Sequence, residues 1–378
     1  MKAKTPRSVL NDLNEIRRID KSNMLQFSVE ASKNYREATG LAQEIKLKYP
    51  TPENVIVAGM GGSGIGGDLL KDYARDKAPI PIEVSRDYTL PDYAGRRSLV
   101  VIVSYSGDTE ESLGAFLDAA KRQCMIFCIS SGGALLKHAA NLNVPLLRVP
   151  DGMPPRAASP YLLMPQLVLL EKLGLVKSVS KELDEALLVL NKVSSENSPE
   201  ITTEKNTAKS LATGLNSTVP VIYGFGVYRA VAQRWKQQFN ENAKIPAKWE
   251  TFPELDHNEI VGWEKAGTLA ERFSTVFIRD KQEPIEIRSR IESTKSLMPK
   301  TSKQFEVYAQ GKGTLARMLS TIVVGDFTSV YLAILRKIDP TPVMTINTLK
   351  QKLGETGTRS RIVRGLEALG NTDKRWSQ

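Results

Sequence analysis

The chain has 378 residues, 41% hydrophobic and 25% charged, the composition of a globular protein with room for two domains. Its net charge of +10 is spread along the chain, apart from a basic end from Arg359-Ser-Arg361 to Lys374-Arg375, and no nucleic-acid motif accompanies it. No apolar run approaches the ~18 residues of a bilayer span, and Met1-Lys-Ala-Lys-Thr-Pro-Arg7 lacks the apolar core of a secretory signal. With 2 His and 2 Cys there is little material for a zinc site, so metal-independent chemistry is favoured, though carboxylates could still hold Mg²⁺. The chain reads as cytoplasmic, with no membrane or nucleic-acid partner expected.

Residues from about Ser8 to Tyr49 read as helical and are stopped by Pro50-Thr-Pro52. Asn54–Ala58 reads as a buried strand. It runs into the glycine-rich Gly59-Met-Gly-Gly-Ser-Gly-Ile-Gly-Gly-Asp68, with a helix expected from Leu69. Strand, glycine turn and helix form an anion-binding layout, because the helix start presents unpaired N–H groups. Gly59-Met-Gly61-Gly-Ser-Gly64 matches the spacing of a dinucleotide site. The next strand, however, is interrupted by Pro81 and ends in Ser85-Arg86-Asp87, where a ribose-binding acid is expected at the strand end. The alternative is that the glycines let the backbone approach a small phosphosugar, with Gly62 and Ser63 beside it.

Ser98–Val103 is a second buried strand, followed by Ser104-Tyr-Ser-Gly-Asp-Thr-Glu-Glu-Ser112 and a helix from Leu113. Three hydroxyls, Ser104, Ser106 and Thr109, therefore stand where a strand becomes a helix N-terminus. That arrangement suits a phosphate monoester. The competing reading is plain N-capping by Thr109 or Ser112. Further strands are expected at 124–129 and 145–149, with Cys124 and Cys128 as reduced core thiols. The alternation with helices predicts an α/β fold with a mostly parallel sheet. Asp151-Gly-Met-Pro-Pro-Arg156 then reads as a loop that carries Arg156 to the ligand edge of that sheet.

Helices are expected at 161–173 and 182–196, and Ser194–Pro199 reads as a linker. The pattern then restarts with a strand at 219–223, the turn Gly224-Phe-Gly226 and a helix from Val227 to Phe239. Strands at 275–278 and 305–308 and a helix at 314–336 follow. The second half reads as another copy of the fold without the serine loop. It offers Asn240-Glu241-Asn242 at a helix end, and Phe252-Pro-Glu254-Leu-Asp256-His257-Asn258-Glu259, a loop in which a carboxylate would orient His257. His138 lies in an ordinary helical segment and reads as structural. Residues 351–378 read as a polar tail.

Taken together, Gly-Met-Gly-Gly-Ser-Gly-Ile-Gly-Gly-Asp, Ser-Tyr-Ser-Gly-Asp-Thr-Glu-Glu, Pro-Pro-Arg-Ala-Ala, Asn-Glu-Asn and Pro-Glu-Leu-Asp-His-Asn-Glu resemble the bifunctional phosphoglucose/phosphomannose isomerase family. That family belongs to the sugar isomerase (SIS) domain superfamily, and the resemblance covers residues from about 40 to 355. It implies two SIS domains, each a three-layer α/β/α unit, at 40–195 and 196–355, between a helical extension at 1–39 and a tail at 356–378. It also implies that Ser63, Ser104, Ser106 and Thr109 hold the phosphate. Glu241 would move a proton between C1 and C2 of glucose 6-phosphate, mannose 6-phosphate and fructose 6-phosphate, in glycolysis and gluconeogenesis. His257 would open the ring, Arg156 would face the C1–C2 oxygens, and Lys350, with Thr341 as a weaker contact, would line the sugar. No cofactor is implied. A homodimer is implied, with His257 reaching the partner's site. The alternatives are a non-catalytic phosphosugar-binding SIS regulator and an aminosugar isomerase; no N-terminal Cys suggests the glutaminase domain the latter would favour.

Overall fold

The computed structural model describes residues 5–372; Lys374 and Arg375 of the basic end lie outside them. In chain order the helices α1 (Pro6–Leu10), α2 (Leu13–Ile19), α3 (Met24–Val29) and α4 (Ala31–Ala42) precede β1 (Asn54–Ala58), α5 (Gly61–Ala74), β2 (Ile82–Ser85) and β3 (Ser98–Val103). Then come α6 (Glu110–Lys121), β4 (Met125–Ser130), α7 (Gly133–Asn141), β5 (Leu146–Arg148), α8 (Ser159–Lys172) and α9 (Val179–Glu196). The later part has α10 (Thr207–Leu215), β6 (Val219–Phe225), α11 (Arg229–Glu241), β7 (Lys248–Phe252), β8 (Phe273–Arg279), α12 (Ile285–Leu297) and β9 (Lys303–Tyr308). It closes with α13 (Thr314–Leu335), α14 (Met344–Gly354) and α15 (Thr358–Thr372).

The chain forms two compact units. One joins the described residues up to Lys33 to Lys181–Pro342; the other joins Asn34–Ser180 to the described residues from Val343 on. Both ends therefore differ from the sequence reading. The first helices belong with the later half, and the last helices with the earlier half. The supposed polar tail holds α15, whose Ile362 and Leu366 are buried in a cluster with Leu113, Phe116, Leu135 and Leu142. Its apolar stripe is spaced at helical intervals but interleaved with Arg359, Arg361 and Arg364, which gives the segment a polar composition.

In the Asn34–Ser180 unit the sheet order is β2-β1-β3-β4-β5, all parallel. β3 and β4 are buried along their whole length, as apolar strands covered by helices on both faces must be. The glycine-rich segment is not a turn: α5 begins at Gly61 and runs through the glycines. A Cβ on Gly64 would meet the Gly59 carbonyl oxygen at 2.5 Å, and one on Gly67 would meet Val57 Cγ1 at 2.8 Å. Each glycine costs a helix about 1 kcal/mol relative to alanine. Here that cost is offset by letting the helix lie directly on β1.

In the other unit the sheet order is β7-β6-β8-β9, again parallel. It repeats the first sheet's order without a fifth strand. No pattern in the sequence announces β7, α10 or α12. In β7 the charges of Lys248 and Glu250 break the apolar run, which a sheet edge tolerates. Against the expectation of no run long enough to cross a bilayer, α13 has that length and apolarity, with 89% of the stretch buried inside the protein. It is a core helix, packed on α10 and α11.

Candidate active site

The first sheet reverses its winding between β1 and β3, which lie side by side with Ala58 opposite Ile102. A crevice opens beyond the carboxyl ends of such strands. The two segments that leave there are Gly59–Ser63 and Ser104–Thr109, and they are tied together: the Tyr105 N–H donates to Ser63 Oγ at 3.1 Å. Ser104, fully buried, accepts from the Gly107 N–H at 3.1 Å and donates to Thr109 Oγ1 at 3.0 Å. Ser106 is exposed, and its Oγ accepts from the Asp108 N–H at 3.3 Å. Thr109 occupies the N-cap position of α6, but its side chain makes no cap bond, and Met60 caps α5 with none either. Two helix N-termini thus face this edge without a side-chain cap. Simple capping does not account for the hydroxyls.

Gly107 makes the turn feasible. Its φ is +72°, and a Cβ there would lie 1.8 Å from the Gly132 carbonyl oxygen. Gly62 does the same for the next segment: a Cβ would come within 2.9 Å of the Pro155 oxygen and 3.2 Å of the Arg156 nitrogen. Arg156, only 3% exposed, is therefore carried over the start of α5. Tyr105, a residue no motif singles out, fixes that loop. Its hydroxyl donates to the Pro150 oxygen and accepts from the Met153 N–H, each at 3.0 Å. Gly62, Ser63, Ser104, Ser106, Thr109 and Arg156 share one sheet edge. Arg86 joins them from the end of β2, 3.3 Å from where a Gly64 Cβ would lie, and pairs with Asp68. Burial still pushes the Asp68 carboxyl upward against the pull of Arg86.

The corresponding edge of the second sheet already holds a carboxylate. Asp280 follows β8 there, and its carboxylate accepts from the Tyr228 hydroxyl at 2.5 Å and from Arg317 at 2.7 Å. That unit carries Glu241 and His257 instead. Glu241 is the last residue of α11, and its neighbours hold it in place. Asn240 donates to the Ile245 oxygen at 2.8 Å, Asn242 to Ser329 Oγ at 2.8 Å, and Lys244 to the Glu241 and Pro340 oxygens at 2.6 and 2.7 Å. α11 is locked to α13 by Arg234 and Gln238 on Asp326, and by Trp235, which packs where a Gly325 Cβ would be.

His257 is exposed, in a 3-10 turn (Glu254–His257) that follows the cis Phe252–Pro253 bond. Among the described residues, no neighbouring carboxylate is seen to orient it. Asp256 binds Arg290 and Thr294, Glu259 binds Tyr223 and Lys248, and Glu254 binds Asn258. These carboxylates brace the loop instead, and burial followed by the Glu259 charge pushes the Tyr223 phenol upward. Lys350 stands on α14, which buries no side chain and takes no part in the cradle's hydrogen bonds; Thr341 sits in a turn, its N–H on Asp339 at 3.0 Å. Cys124 and Cys128 are free and buried, and burial pushes the Cys124 thiol up to about 11.

A family model described as the bacterial phospho-glucose isomerase C-terminal SIS domain matches residues 204–353. The chain is 41% identical over 313 residues to a bifunctional phosphoglucose/phosphomannose isomerase of Caldicellulosiruptor bescii, covering 82% of this chain and 92% of that protein. It is 34% identical to the protein of the same name from Thermoplasma acidophilum, over 80% of this chain and 90% of the other. A crystal structure of a glucose-6-phosphate isomerase-like protein from Thermus thermophilus has the same fold, with a TM-score of 0.59 at 18% identity, covering 90% of this chain and 98% of that one. With that likeness running along most of its length, the chain belongs to the bifunctional phosphoglucose/phosphomannose isomerase family and is an isomerase.

Proposed function

We propose that the protein interconverts glucose 6-phosphate or mannose 6-phosphate with fructose 6-phosphate through a cis-enediolate. The observation that carries this is the edge of the first sheet, where uncapped helix starts, four hydroxyls and a buried arginine converge. The phosphate sits on Ser63, Ser104, Ser106, Thr109 and the backbone at Gly62. Glu241 takes the proton from the carbon next to the carbonyl and returns it to the neighbouring carbon. Charge then develops on the C1 and C2 oxygens, and the fixed Arg156 guanidinium stabilises it without reorganising. His257 moves the protons that open the ring, a task suited to an imidazole near neutrality. Lys350 lines the sugar. The active form is a homodimer in which the exposed His257 reaches the partner's site. Glucose and mannose phosphates differ only at C2, and a planar enediolate erases that difference, so one base serves both.

Glu241→Gln tests the reading. It keeps the side chain's size and removes the base, so turnover should fall by about 10²–10⁴-fold while inorganic phosphate still competes with substrate. Full activity in this variant would remove Glu241 from the mechanism. A coupled assay on both aldose phosphates in EDTA checks breadth and metal independence together.

A further inference from the structure

We infer that Arg359, in the last helix of the chain, is a positioning residue for the phosphate loop: it neutralises Asp108 and holds that carboxylate away from the bound dianion. The inference rests on the reading that Ser106 and Thr109 hold phosphate, and it concerns a segment beyond the matched family model, which stops at residue 353. Asp108 is an awkward residue in an anion site, since it lies between two phosphate hydroxyls and carries a negative charge. Its Oδ1 is turned to the Ala134 N–H at 3.1 Å and to Arg359 Nη2 at 2.5 Å. The loop beneath it is fixed from the same side, where the Leu135 N–H donates to the Gly107 oxygen at 2.9 Å.

The arginine reaches this spot because α15 is anchored. Gly357, with φ +70°, ends the preceding turn, and Arg359 falls in the helix's first turn. One and two turns on, Ile362 and Leu366 enter the core beside α6 and α7. Gly365 lies against Leu117, where a Cβ would come within 2.8 Å of Cδ2. The ion pair itself is half exposed, at 49% and 46% for the two side chains, so it adds little to folding stability. Its consequence is local. Without the guanidinium, the Asp108 carboxylate keeps only the Ala134 N–H, and its uncompensated charge stands next to Thr109 and two residues from Ser106, whose hydroxyls receive a phosphate dianion. Across a few ångströms of partly solvated protein, such repulsion weakens binding of the phosphate but leaves the chemistry at C1 and C2 untouched.

The test uses the full chain. Arg359→Ala should raise KM for fructose 6-phosphate, and the inhibition constant for inorganic phosphate, by roughly three- to tenfold with kcat nearly unchanged, and the effect should shrink as salt is raised to about 1 M. Arg359→Lys should restore most of the loss. In an Asp108→Asn background, Arg359→Ala should change nothing further, because no charge remains to neutralise. Thr109→Val and Ser106→Ala serve as controls. If neither weakens phosphate inhibition, the loop does not hold phosphate, and both readings fall. If they weaken it while Arg359→Ala leaves KM and phosphate inhibition unchanged, only this inference is overturned. A fall in kcat together with the melting temperature, persisting in the Asp108→Asn background, would likewise overturn it in favour of a packing role.

Discussion

Gly107 concentrates the demands on the cradle in one residue. It must turn with φ +72° and pass so close to Gly132 that a methyl group has no place. Gly107→Ala should therefore destabilise the protein by about 1–3 kcal/mol, as forced overpacking does, and raise KM for the phosphosugar more than it lowers kcat. Urea denaturation and steady-state kinetics read the two effects separately. The cysteines make a quieter case. Both are buried with raised pKa values, so neither should react with a thiol reagent in the native protein, and both should react once it is unfolded. That behaviour was legible in the sequence because Cys128 lies in an apolar strand and Cys124 directly precedes it. The surroundings of His257 were not legible. Asp256 and Glu259 adjoin it in sequence, but their partners, Arg290, Thr294, Tyr223 and Lys248, are supplied by strands and a helix up to 38 residues away.

Among the elements, the strands that sit wholly inside a sheet were readable as unbroken apolar runs, whereas β7 and α15 were hidden by the charges that an edge strand and a surface helix carry. α10 poses a sharper question through Lys209. This lysine is fully buried, and its ammonium donates to the Pro199 and Ile201 oxygens at 2.7 Å each, close to the Tyr331 ring. Burial, only partly opposed by Glu200 and Glu204, lowers its pKa from 10.5 to about 8. The folded pKa lies below the unfolded one. Between these values the unfolded chain binds more protons, and this group's contribution to stability rises with pH. Relative to Lys209→Met, which cannot titrate, the native protein should gain stability from about pH 8 to 10.5. Denaturant midpoints of both proteins across that range give the difference, and a flat difference would mean that Lys209 keeps its ordinary pKa. At the end of α11, Asn242→Ala removes the bond to Ser329, whose hydroxyl keeps its bond to the Asp326 oxygen. It should cost about 0.5–1.5 kcal/mol, with kcat falling because Glu241 follows the helix end.

At the scale of the whole molecule, the assembly of each unit from two separated stretches of chain could not be read from composition, since no change in residue type marks the crossing near residue 33, and Pro340-Thr-Pro342 at the other reads only as a helix stop. The difference in residues was easier to see. One half has the serine loop, the other has Glu241 and His257, and Asp280 stands at the end of the second sheet. If His257 serves the partner's site, as its exposure on a braced loop suits it to do, catalysis belongs to the dimer and can be rebuilt from broken parts. Glu241→Gln and His257→Ala should each be nearly inactive alone. In a mixed dimer, one site then joins an intact Glu241 from one subunit to an intact His257 from the other, while the second site carries both lesions. After unfolding and refolding an equal mixture, roughly a quarter of native activity should return, because half the dimers are mixed and half their sites are whole. A mixture that stays inactive while forming dimers of native size would place Glu241 and His257 of each site on the same subunit.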